Sequence, residues 1–82
     1  MNLDELISTF EDRPIWVILK AIKDKGLETK FNEFTKNMSV NYNDIDDFGF
    51  ALINNLLPDR YFPTVLKTLI EFEEKLSAKS NN

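Results

Sequence analysis

Apolar residues recur every three or four positions along almost the whole chain, and the recurrence breaks only where proline, glycine or a polar cluster intervenes. Such a period is that of amphipathic helices, each with one stripe that another helix has to cover. The first predicted helix spans 2–11, with Asn2 as its cap, Glu5 at capping-box spacing, and Leu3, Leu6, Ile7 and Phe10 on one face. Pro14 then suits the first turn of a second helix, 14–25, whose stripe is Ile15, Ile18, Leu19 and Ile22 and whose stop is Gly26. Trp16 and Val17 widen that stripe, which makes the helix either central or a surface for a partner.

A shorter third helix covers 28–37 through Leu27, Phe31, Phe34 and Met38, and 39–43 carries turn chemistry instead. Asn43 or Asp44 starts a fourth helix that runs to 57, with Asp44, Asp46 and Asp47 where the macrodipole favours negative charge. Its face is Ile45, Phe48, Leu52, Ile53, Leu56 and Leu57. Gly49 falls on the same face, where glycine costs about 1 kcal/mol relative to alanine, so a close approach by another helix is expected there. Pro58 ends this helix. The fifth begins near Pro63 and runs to 77, with Phe62, Val65, Leu66, Leu69, Ile70, Phe72 and Leu76 apolar. The expectation is an all-α, compact single-domain bundle of about five short helices over 1–77, followed by a frayed polar tail at 78–82.

A chain of 82 residues holds one core. At that size only roughly 60% of the unfolded surface is buried, so the stability margin is thin. An apolar content of 43% with seven Phe excludes a disordered composition. Cysteine is absent, which rules out disulfides and thiolate metal sites. No apolar run reaches membrane-span length, and the start Met1-Asn2-Leu3-Asp4-Glu5 is acidic where a signal peptide is basic, so a cytoplasmic location is expected. The formal net charge of −4, with scattered cations, argues against nucleic acid and anionic membranes and in favour of a basic protein partner.

Catalytic chemistry finds little to use. Without His or Cys, no Ser-His-Asp triad or thiol nucleophile can be assembled. Asp44-Ile45-Asp46-Asp47-Phe48-Gly49 resembles a calcium loop superficially, but Phe48 and Asn55 stand where an EF-hand needs an oxygen ligand and a bidentate Glu. Helix N-terminal acids explain it better. Adjacent carboxylates such as Glu73 and Glu74 do not face one another on a helix and are not acid/base dyads. The reading is therefore of a non-enzyme without metal or cofactor.

The informative surplus is aromatic and lies near loops: Trp16, Tyr42, Phe50, Tyr61 and Phe62. Core filling is the economical reading for Phe50 and Phe62, whereas Trp16 and Tyr61 are evenly divided between core and interface. Phe50 falls off the main line of the fourth helix, so another helix or a partner must cover it. The expected partner-binding surface is Trp16, Phe50 and Tyr61, rimmed by Asp46, Asp47 and Arg60.

Three stretches carry a family resemblance: Phe10-Glu11-Asp12-Arg13-Pro14-Ile15-Trp16, Asp44-Ile45-Asp46-Asp47-Phe48-Gly49-Phe50 and Leu57-Pro58-Asp59-Arg60-Tyr61-Phe62-Pro63-Thr64. Together with the length, they make the chain resemble the rapid-lysis RIII family of T-even-type bacteriophages, over essentially its whole extent. That resemblance implies a cytoplasmic accessory antiholin, a protein that delays host lysis by contacting the cytosolic N-terminal segment of the phage holin. The holin would then be the protein partner, with the membrane approached only through it. The family brings no motif of functional residues to carry across. Two other readings use the same features. A small acidic immunity protein would block a nuclease by direct binding, and a self-assembling protein, a homodimer for instance, would share the wide apolar face over 15–22 between subunits.

Overall fold

The computed structural model of the chain describes residues 2–80. Among these residues five α-helices follow one another: α1 (Leu3–Thr9), α2 (Ile15–Asp24), α3 (Glu28–Thr35), α4 (Ile45–Leu56) and α5 (Phe62–Ser80). Short 3₁₀ turns at Tyr42–Asp44 and Asp59–Tyr61 lead into α4 and α5. No strand occurs among the described residues, and the protein is an all-α bundle.

Local chemistry explains most of the boundaries. Asn2 is extended, and its Oδ1 accepts from the Glu5 amide at 3.3 Å, so one of the four otherwise unpaired N-terminal donors is satisfied. At the far end of α2 the Gly26 amide donates to the Lys23 carbonyl and the Leu27 amide to the Ile22 carbonyl, both at 3.0 Å, with Gly26 at φ +70°. This is a Schellman stop, and it needs a left-handed residue at Gly26. A Cβ there would meet nothing within 4 Å, so the whole cost of a side chain is backbone strain. Gly26→Ala is accordingly expected to lose about 1 kcal/mol, or roughly 4–8 °C in melting temperature, with Asn tolerated better than Ala. Thermal melts followed by circular dichroism check this; an unchanged midpoint would mean that the turn rearranges freely.

Before α4, the Asn41 side chain accepts from the Asn43 amide at 3.0 Å while its carbonyl accepts from the Asp44 amide at 2.9 Å. The restart is thus an Asx-type turn that tightens into a 3₁₀ turn, and the α-helix proper begins slightly later than the sequence suggests. At the C-terminus the correction runs the other way. α5 extends as far as Ser80, beyond the end expected near 77; 81–82 lie outside the described residues.

α2 is the hub, packing against α1, α3, α4 and α5. Ile15, Ile18, Leu19 and Ile22 are all buried, so the face over 15–22 is consumed inside the chain and is not a surface for a second copy. Around it close Leu3 and Leu6 from α1 with Phe10 just beyond it, Phe31 from α3, and Ile45, Leu52, Ile53 and Leu56 from α4, with Leu57 just beyond α4. Phe31 meets Phe48 edge-on at 6.5 Å, a favoured aromatic geometry. Among the described residues the one buried polar residue, Thr35, donates its hydroxyl to the Phe31 carbonyl at 2.8 Å, and no buried side-chain donor there is stranded. Lys23 pairs with Asp4 across α1 and α2, and this hydrogen bond holds its ammonium above the ordinary lysine range. Both groups are well solvated, so the pair adds little to stability.

The bundle's thinnest extent is 19 Å, room for about two layers of helix. α4 and α5 share the side of α2 that carries Ile15 and Ile18 but do not pack closely on each other. Asp46 and Glu73 both lie near Pro14 at the start of α2, while Lys25 at its other end lies over Tyr61. α4 therefore runs along α2 and α5 returns against it, an αα-hairpin whose two arms rest on a common floor.

Candidate functional site

Between those two arms lies a groove of about 170 Å³. Its floor is Ile15 and Ile18 of α2, its α4 wall Asp46, Gly49 and Phe50, and its α5 wall Leu69 and Glu73, with Pro14 at one end. Gly49 is what brings α4 down to this floor. A Cβ added there would sit 3.1 Å from Ile18 Cδ1 and 3.3 Å from Ile15 Cγ1, tighter than ordinary contact. The close approach expected from the sequence is therefore real, and it explains a glycine on an apolar helix face.

Beside the groove, α5 carries further exposed apolar residues. Leu66 and Ile70 are the helical neighbours of Leu69 and Glu73, and Phe62 stands one turn before Leu66. All three are exposed, Leu66 at 47% and Ile70 at 50%. Phe50 on the opposite wall is 62% exposed. The core reading of Phe50 and Phe62 is thus overturned. α5 presents an apolar arc wider than α2 can cover: Val65 is buried, Leu69, Phe72 and Leu76 partly so, and the remainder faces solvent. Large apolar residues scattered singly are unremarkable; here Phe50 lines the groove, and Phe62, Leu66 and Ile70 lie on the helix that forms its other wall.

The six residues singled out by sequence separate into two groups. Phe50 and Asp46 line the groove, and Asp47 sits beside Asp46 in the first turn of α4 without lining it. Trp16, Tyr61 and Arg60 lie on the other flank of α5. Trp16 stacks on Phe72 with centroids 5.8 Å apart and an interplanar angle of 19°. Tyr61 carries the Lys25 ammonium 3.7 Å and the Arg60 guanidinium 4.9 Å from its ring centre, and Arg60 also donates to its hydroxyl at 3.3 Å. These contacts clamp α5 to α2, and both aromatics are half-buried by them. The residues missed by sequence reasoning are Leu66, Leu69, Ile70 and Glu73; the signal was the breadth of the α5 stripe.

A second concavity of about 270 Å³ lies on that other flank, between α2 and α5. Several of its polar groups are occupied internally: Lys20 pairs with Asp24 at 3.8 Å, and Thr68 donates to the Thr64 carbonyl at 2.9 Å. The α4–α5 groove differs in kind. Its two charged lining residues are both carboxylates, and neither enters an ion pair among the described residues. No helix among them is long and apolar enough to cross a membrane. An all-α bundle with an uncovered apolar groove between acidic walls is the class that fold and site define. No family profile, curated protein or solved structure matches the chain.

Proposed function

We propose that this chain is a non-catalytic protein-binding domain that acts as an accessory antiholin, engaging the cytosolic N-terminal segment of a phage holin and thereby holding lysis back. The observation that supports the binding part is the α4–α5 groove, with Phe50 exposed in its wall and Leu66 and Ile70 exposed on α5 beside it although the chain has a complete core elsewhere. The holin as partner comes from the resemblance in the three sequence stretches above. An acidic domain suits a basic cytosolic segment, and steering between them speeds encounter. Mechanistically, the domain delays lesion formation only to the extent that it binds the unassembled holin more tightly than the assembled one.

Calorimetric titration with the soluble N-terminal segment of the holin, at two salt concentrations, tests this. Saturable binding that weakens with salt is expected. Absence of heat together with an unchanged elution volume would sink the holin assignment and turn attention to a toxin-neutralising role, which the same acidic surface suits.

A further inference from the structure

We infer that the occupant of the α4–α5 groove is a single amphipathic α-helix of the partner, apolar along one face and basic on its flanks. The inference rests on the protein-binding reading above, but its test does not use the holin.

Shape argues first. The walls are two helices on a common helical floor, so a third helix laid between them packs ridge into groove on both sides. Among the described residues there is no strand, hence no sheet edge for an extended peptide to join. Length agrees as well. From Phe62 to Ile70 the exposed stripe covers about 12 Å at the helical rise, and anchors at i, i+4 and i+7 of a docked helix cover about 10 Å.

Charge then selects the flanks. Asp46 and Glu73 stand on opposite walls near one end of the groove, both exposed and neither ion-paired among the described residues. A helix seated between them meets a carboxylate on each side, so Lys or Arg flanking its apolar face is favoured and Glu or Asp is penalised. The same argument disfavours a second copy of this chain, which carries a net charge of −4 and has Glu71, Glu73 and Glu74 beside its own apolar stripe.

The test is an amide chemical-shift titration of the full chain with two synthetic peptides. One has Leu at i, i+4 and i+7 with Lys at the flanking positions; the other has Glu in place of every Lys. With the Lys peptide, shifts centred on Gly49, Phe50, Ile70 and Glu73 are expected, and the Glu peptide should bind at least about ten-fold more weakly, the equivalent of ~1.4 kcal/mol. The double charge reversal Asp46→Lys/Glu73→Lys should invert that preference. Shifts centred instead on Trp16, Lys20 and Thr64, no shifts with either peptide, or equal binding of both would overturn the inference. So would uptake by anionic lipid vesicles in preference to the Lys peptide. The holin titration can fail while the Lys peptide fills the groove, which removes the partner and keeps the site. Conversely, holin binding with shifts outside the groove keeps the partner and removes the site.

Discussion

Leu19→Ala is expected to take the melting temperature down by more than about 10 °C, through a loss of about 3–5 kcal/mol. Leu19 has no exposed surface and sits midway along the helix that every other helix packs against. Its truncation removes burial and leaves a cavity in the middle of the core. A domain of this size holds only ~4–12 kcal/mol in total, at about 0.05–0.15 kcal/mol per residue, so the loss is a large share of the whole. Urea denaturation should show the midpoint falling with little change in slope. Phe50→Ala is the contrast, because Phe50 is mostly exposed and surface substitutions usually fall within about 0.5 kcal/mol. Equal losses at the two positions would mean that α2 is not the hub described above.

That contrast shows where the sequence is legible. Features decided within a few residues can be read directly: the Asn2 cap, the left-handed stop at Gly26, and the end of α4 before Pro58 all follow from local backbone chemistry. Gly49 is readable too, because a glycine on an apolar helix face needs a close neighbour to make sense of it, and Ile15 and Ile18 are that neighbour. The fate of a wide apolar arc is not local. α5 has apolar residues around nearly half its circumference, and whether Ile70 is core or surface depends on how far α4 stands from α5, a distance set by packing on α2. Aromatic residues fail for the same reason. Trp16 and Tyr61 carry polar handles that suit interfaces, yet Phe72 and Lys25 already occupy their rings, whereas Phe62, read as core for its bulk, and Phe50, read both as core and as part of the partner surface, stay exposed.

Ile70→Asp should leave the fold intact and weaken binding of the holin segment by at least about 30-fold. The stability side follows from exposure: Ile70 is half-exposed on a helix, Ile and Asp have similar helix propensities, and a like-charge pair with Glu74 costs only a few tenths of a kcal/mol. The binding side follows from desolvation. A docked apolar face would set the new carboxylate against apolar side chains and strip it of water, and losing a central anchor alone costs about 2 kcal/mol or more. Trp16→Ala supplies the reverse pattern, because the Trp16 ring is held against Phe72 on the other flank of α5; it should lower the melting temperature while leaving affinity within about three-fold, or ~0.7 kcal/mol. Calorimetry on both variants at one temperature decides the matter. If Trp16→Ala destroys binding and Ile70→Asp does not, the partner sits between α2 and α5, and the exposed α5 stripe needs a different explanation.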